Sequence, residues 1–113
     1  MRLLPTALAL ALTLPAVAHA ASFDCGRARA PDEKAVCADR PLNDKDVRMS
    51  VLYAGNKRTL AMGGRGALMD AQQQWLRDRR SCGANRACLN RAYDRRLAEL
   101  ERGLERIYRN GPF

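Results

Sequence analysis

The chain has 113 residues, with 20 lysines and arginines against 12 acids and a formal net charge of +8. This length fits one small domain and excludes two. A single histidine and four cysteines leave little material for metal or nucleophilic chemistry that needs imidazole.

The first twenty residues, MRLLPTALALALTLPAVAHA, are typical of a secretory signal peptide. Arg2 gives a basic start, an apolar run follows, and small residues precede an expected cleavage after Ala20. Cleavage leaves 93 residues, no histidine and a net charge of +7, because Arg2 and His19 are lost. The apolar run is too short for a membrane span, and no lipoprotein cysteine follows it directly. The sequence predicts a single soluble domain, 21–113, in the periplasm or outside the cell.

Four cysteines in an exported domain of this size indicate two disulfides. Three pairings are possible, and loop closure favours the local one, Cys25 with Cys37 and Cys82 with Cys88. On that model the bridges contribute roughly 3 and 2 kcal/mol. Gaps of eleven and five residues differ from the CxxC spacing of zinc knuckles and redox pairs. We therefore expect neither a metal site nor a redox-active pair.

Two helices are predicted before residue 61. Pro31 at a first helical position, followed by two acids, favours a short helix that ends near Ala38, because Arg40-Pro41 should not continue it. Asn43 is the expected cap of the second helix. The predicted core face of that helix consists of Met49, Leu52, Tyr53, Asn56 and Leu60.

The stretch Met62-Gly63-Gly64-Arg65-Gly66 is expected to break the helix and act as a flexible connection. A third helix should then run from about residue 67 to 80. We interpret Trp75, on its apolar stripe, as a core anchor. Arg79 lies on the same stripe, either with its head in water or as a partly buried fork paired with Asp46 or another acid.

Beyond the third helix, Gly83 suits a left-handed turn and Asn85 suits the cap of a fourth helix. This helix should stop near Asn110-Gly111-Pro112. Its predicted core face consists of Leu89, Tyr93, Leu97, Leu100, Leu104 and Ile107. The whole pattern predicts an all-α fold, a small bundle of three to four helices stapled by two local disulfides.

The opposite side of the fourth helix carries a row of arginines that we call the arginine ridge. It consists of Arg91, Arg95, Arg102, Arg106 and Arg109. One interpretation is a solvated face, with Arg95–Glu99 and Glu105–Arg109 as ordinary i,i+4 pairs. The other is a surface that binds carboxylates or phosphates of a partner.

The mature sequence holds no pattern that predicts catalysis. Its serines lack a nucleophile-elbow motif, and the glycine-rich stretch lacks the spacing of a phosphate-binding loop. We therefore expect no catalytic residues and no cofactor. Nucleic-acid binding is not expected either, because few aromatics interleave with the basic residues and export removes the usual targets.

A set of residues spread over 23–100 resembles the LprI-type lysozyme-inhibitor N-terminal domain family in order and spacing. The set comprises Phe23-x-Cys25, Glu33-x-x-Val36-Cys37-Ala38-Asp39, Leu42, Asp46, Tyr53, Trp75-Leu76, Arg79, Cys82, Cys88-Leu89, Tyr93, Arg96 and Leu100. The resemblance implies a small exported helical domain with disulfides, in which Asp46, Trp75 and Arg79 belong to the framework.

The family takes its name from a member that inhibits lysozyme. The resemblance thus implies a non-catalytic binding protein that targets lysozyme or another cell-wall hydrolase. A net charge of +7 opposes encounter with c-type lysozymes, which are themselves basic, so a local acidic patch of Asp39, Asp44 and Asp46 is expected to compensate. The alternative is a cationic envelope factor whose arginine ridge binds anionic glycopolymer or lipid headgroups.

Overall fold

The computed structural model of the chain describes residues 21–110. The predicted signal peptide, its basic start and the predicted stop at Gly111-Pro112 lie outside these residues. Within them, four α-helices and one short 3-10 helix, Cys25–Arg27, make up the regular structure, and strands are absent. The prediction of an all-α fold is therefore confirmed.

The helices follow one another with short connections. They are α1 (Pro31–Ala38), α2 (Arg40–Thr59), α3 (Met62–Ser81) and α4 (Arg86–Arg109). Asp46 contacts Tyr93 and Asn56 contacts Leu100, so α2 and α4 run in the same direction. Helix α3 runs the opposite way, because its Gln72 contacts Met49 whereas its Arg79 lies near Asp46. The most extensive packing is between α2 and α4.

Both local disulfides are confirmed. Cys25–Cys37 ties the 3-10 helix to α1, and Cys82–Cys88 closes the corner between α3 and α4. Gly83 has the predicted left-handed conformation, with φ of +56°. Asn85 caps α4 as predicted, because its side chain accepts a hydrogen bond of 3.0 Å from the Cys88 backbone N–H.

Helix α2 begins at Arg40, so the prediction that Asn43 caps it was wrong. The cap is Asp39, whose side chain accepts a hydrogen bond of 3.2 Å from the Leu42 N–H. Pro41 sits in the first turn, where a missing backbone N–H leaves no helical bond unmade. Only Asp39 therefore separates α1 from α2.

The prediction of a flexible glycine-rich connection was also wrong, since residues 62–66 form the first turn of α3. The chain breaks instead at Leu60 and Ala61, which have extended backbone with ψ of 144° and 167°. Arg65 compensates for the poor helix propensity of glycine. Its guanidinium donates to the carbonyl oxygen of Lys57 at 3.1 Å and reaches that of Leu60 at 3.4 Å, at the end of α2.

The predicted apolar face of α4 supplies much of the core. Leu89, Tyr93, Leu97, Leu100 and Ile107 are buried, and Leu104 is half-buried. Trp75 of α3 packs edge-on against Tyr93, with ring centroids 5.0 Å apart, and its indole N–H donates to the Ala92 carbonyl at 2.9 Å. Trp75 is thus buried among core residues, as expected of an anchor.

Helices α2 and α4 approach closely where Asn56 faces Gly103. The Asn56 amide is buried and donates to the carbonyls of Leu52 at 2.9 Å and Leu100 at 3.0 Å. A Cβ at position 103 would overlap Asn56 Oδ1. Glycine is therefore required at 103 by the close approach of its neighbour.

We expect Gly103→Ala to lower the free energy of unfolding by about 1–3 kcal/mol, because the added methyl displaces Asn56 from its two hydrogen bonds. Gly63→Ala is the matched control, since a Cβ there meets no atom within 4 Å. It should raise stability by about 0.5–1 kcal/mol through helix propensity alone. Urea unfolding measures both, and equal changes in the two variants would contradict the proposed contact.

Candidate functional site

A cluster of four buried ionisable side chains lies where the four helices meet. Asp32, Asp46, Arg79 and Tyr93 come from α1, α2, α3 and α4 in turn, and their relative exposures are 1%, 0%, 6% and 0%. We call this set the buried charge cluster. Groups of this kind are rarely buried unless paired, so the contacts within the cluster decide what it can do.

The guanidinium of Arg79 lies at the centre of the cluster. Its Nε donates to Asp32 Oδ2 at 2.8 Å, and its Nη1 lies 3.7 Å from Asp46 Oδ1. The Tyr93 hydroxyl donates to the same Asp46 oxygen at 2.8 Å. The Ser22 backbone N–H donates to Asp46 Oδ2 at 2.6 Å. The structure therefore agrees with the second interpretation of Arg79, a buried guanidinium paired with acids.

Two aromatic rings flank the same guanidinium. Arg79 Cζ lies 5.3 Å from the ring centroid of Phe23 and 5.7 Å from that of Trp75. These distances are within the range of cation–π attraction. The contacts explain why a charged side chain shares the apolar stripe of α3 with a tryptophan.

Sequence reasoning named Arg79 and Asp46 but missed Asp32, which was read only as an acid at a helix start. The closest partner of the guanidinium is therefore a residue that the sequence analysis assigned to another role. One signal was present, because Asp32 precedes the buried Val36 by four residues and so shares its face of α1.

Two members of the cluster, Tyr93 and Arg79, have pKa values shifted upward by their surroundings. Burial raises the pKa of Tyr93, and the neighbouring Asp46 carboxylate raises it further. Burial acts to lower the pKa of Arg79, but the contacts with Tyr93 and Asp32 outweigh this, and the pKa rises overall. Tyr93 therefore stays protonated and Arg79 stays charged. Both side chains are shielded from solvent, so the role of the cluster is to hold the helices together rather than to react.

A second buried guanidinium, that of Arg96, links α4 to α3. Its Nε donates to Gln72 Oε1 at 2.9 Å and its Nη1 donates to Glu99 Oε2 at 3.0 Å. The predicted Arg95–Glu99 pair was therefore wrong. Arg95 points into solvent, whereas the buried Arg96 offers Glu99 an attraction that water screens less.

All five members of the arginine ridge are exposed on α4. Arg109 pairs with Glu105 as expected. The other members, Arg91, Arg95, Arg102 and Arg106, form no ion pair with any residue from 21 to 110. The structure thus presents four guanidinium groups to solvent along one side of the helix.

The predicted acidic patch of Asp39, Asp44 and Asp46 is not formed. Asp46 is buried in the charge cluster, and Asp39 caps α2 and lies 3.3 Å from Arg86. Only Asp44 remains exposed and uncommitted to such a contact. The expectation failed because two of these carboxylates are engaged inside the protein. A carboxylate near a helix start can accept hydrogen bonds from backbone N–H groups or pair with a buried cation, and it is then not available to a partner.

Residues 21–110 contain no group of three or more histidine, cysteine or acidic side chains placed to hold a metal ion. No helix in the same range has the length and apolar character needed to cross a membrane.

Comparison with known proteins gives a distant similarity. The chain is 34% identical over 82 residues to curated proteins of Mycobacterium tuberculosis and Mycobacterium bovis. Each of them is named lipoprotein LprI. The match covers 70% of this chain but 40% of each relative, so the chain spans well under half the length of these proteins. No family model and no solved structure matches the chain.

We expect Arg79→Met to lower the free energy of unfolding by about 3–5 kcal/mol, because two buried carboxylates lose their cation. Arg80→Met, one residue further along α3 and exposed, should change it by less than about 0.5 kcal/mol. Chemical denaturation at pH 7 measures both. A loss below about 1 kcal/mol for Arg79→Met would show that the cluster tolerates an unpaired carboxylate.

Proposed function

We propose that the protein is an exported, non-catalytic binding protein whose target is lysozyme or another cell-wall hydrolase. One observation carries the proposal. Residues that the chain shares with the LprI-type pattern, among them Asp46, Trp75, Arg79 and Tyr93, meet at one point in the interior. The resemblance therefore corresponds to a packed unit, which supports a common fold with those relatives and, through it, a related activity.

The chemistry of the buried groups supports binding rather than catalysis. The buried acids Asp32 and Asp46 are held by Arg79 and Tyr93, and no solvent reaches them. A general acid or base needs a group that can reach a substrate. The outer surface is thus the part of the molecule through which we expect it to act.

The proposed compartment is the periplasm or the exterior. Both cysteine pairs are joined, and residues 21–110 contain no free cysteine. Such pairs persist in oxidising compartments. This agrees with the signal peptide expected at residues 1–20.

Titration of the purified, oxidised protein into a cell-wall lysis assay tests the proposal. We expect stoichiometric inhibition of c-type lysozyme or of a less basic lysozyme at physiological salt. The reduced and alkylated protein is the control and should inhibit weakly, because the short helix α1 and the α3–α4 corner lose their covalent ties. Undiminished activity of both lysozymes at tenfold molar excess would refute lysozyme as the target.

The exposed arginine ridge favours a second candidate, the cationic envelope factor. The four ridge members that form no ion pair within residues 21–110 span about 22 Å along α4 at 1.5 Å per residue. Guanidinium groups in such a row suit the carboxylates and phosphates of glycopolymers and lipid headgroups.

A charge-reversal variant tests the ridge. Arg95, Arg102 and Arg106 changed to Glu should weaken binding to phosphatidylglycerol vesicles at least tenfold at low salt, since the attraction depends on local positive charge. The control changes three exposed arginines elsewhere, Arg29, Arg40 and Arg58, and gives the same net charge. Equal losses in the two variants would assign any binding to net charge and exclude the ridge as a site.

A further inference from the structure

The segment that follows the predicted signal peptide is anchored on the buried charge cluster. The Ser22 backbone N–H donates to Asp46 Oδ2 at 2.6 Å. The Phe23 ring centroid lies 5.3 Å from the guanidinium carbon at the centre of the cluster. Cys25 is tied to α1 by its disulfide. These contacts fix the course of the segment and place the half-buried Ala21 beside the cluster.

The cluster holds more negative charge than positive charge. Asp32 and Asp46 each form an ion pair with Arg79, and no other cation within residues 21–110 pairs with either acid. Two carboxylates against one guanidinium leave a formal charge of −1, because Tyr93 stays protonated. Asp32 Oδ1 is buried and accepts no hydrogen bond from these residues. A second cation beside the cluster would therefore stabilise it.

The predicted cleavage site supplies such a cation. Hydrolysis of the bond between Ala20 and Ala21 takes up one water and leaves a carboxylate on Ala20 and an amine on Ala21, which is mostly protonated at neutral pH. The backbone nitrogens of Ala21 and Ser22 are three bonds apart, so they lie within about 3.7 Å of each other. Rotation about the Cα–C bond of Ala21 brings the ammonium towards the carboxylate that the Ser22 N–H already contacts.

We propose that cleavage after Ala20 creates an α-ammonium group that pairs with Asp46 and completes the buried charge cluster. The uncleaved chain has a neutral amide nitrogen at the same position and so lacks this cation. The domain therefore reaches its full stability only after the signal peptide is removed. The site of the cut matters to a single residue, since each extra residue moves the charge by up to about 3.6 Å. This inference does not depend on which partner the protein binds.

Three forms of the oxidised chain test the ammonium. One begins at Ala21, the second is the same chain with an acetylated α-amine, and the third carries one added glycine before Ala21. Acetylation removes the charge, and the glycine displaces it. Lys34→Gln removes a positive charge at an exposed position of α1 and is the control for net charge. Thermal unfolding is measured at about pH 6.5, where even an unpaired α-amine is protonated.

We expect acetylation to lower the unfolding midpoint by about 5–10 °C, because a buried carboxylate loses a cation. The added glycine should lower it by a smaller amount. Lys34→Gln should change it by less than about 2 °C, as is usual for an exposed charge. Equal midpoints for the three forms would overturn the proposal.

The pKa of the α-amine separates pairing from a steric effect of the acetyl group. The charged and titratable groups around the amine are Asp32, Asp46, Arg79 and Tyr93, one from each helix. The two carboxylates outweigh the one guanidinium, so we expect a pKa above that of an unstructured peptide. Because folding raises this pKa, the stability difference between the free and acetylated forms should be full below about pH 7 and fall as the pH rises through the raised value.

NMR titration of the chain labelled at Ala21 gives this pKa, and mass spectrometry of the protein exported by a bacterial host gives its first residue. An α-amine that titrates as in an unstructured peptide would overturn the proposal even if acetylation destabilises the fold, since the loss would then be steric. An exported protein whose first residue is not Ala21 would overturn it as well.

Discussion

The buried guanidinium of Arg79 is the constraint on which the arrangement of the helices depends. It lies between Asp32 of α1 and Asp46 of α2, and Tyr93 of α4 donates to the same Asp46 oxygen. Helix α1, with eight residues, is too short to be stable by itself. It is held by this ion pair and by the Cys25–Cys37 bridge. A carboxylate buried without its cation would cost several kcal/mol, so separating Arg79 from these acids would destabilise the packing of the four helices.

Sequence patterns predicted the elements that depend on local chemistry. The periodic leucines of α4, the Gly83 turn and the Asn85 cap follow from rules that act within a few residues. The predictions failed where distant contacts outweighed local preference. Arg65 holds the glycine-rich start of α3 against the end of α2. Asp32 pairs with a residue 47 positions away, and no rule of spacing specifies that partner. Arg96 and Glu99 were missed as a pair because burial, rather than spacing, decides which arginine the acid contacts.

The buried charges and the exposed charges of this protein have different roles. Buried acids are committed to Arg79, so they add nothing to the surface field. What a partner meets is the arginine ridge on one side of α4 and, elsewhere on α2 and α4, the exposed side chains of Val51 and Tyr108. The ridge therefore gives one side of α4 a positive surface, which attracts anionic partners and repels basic ones.

An NMR titration of the isotope-labelled protein with unlabelled c-type lysozyme would test this account most directly, because it locates the contact without changing any side chain. We expect the largest shifts in the backbone amide resonances of exposed residues outside the arginine ridge, because the ridge repels a basic lysozyme. The amides around Arg79 should stay unchanged, as should those of Arg91 and Arg95 on the ridge. Shifts confined to the ridge, or centred on the buried charge cluster, would contradict the account.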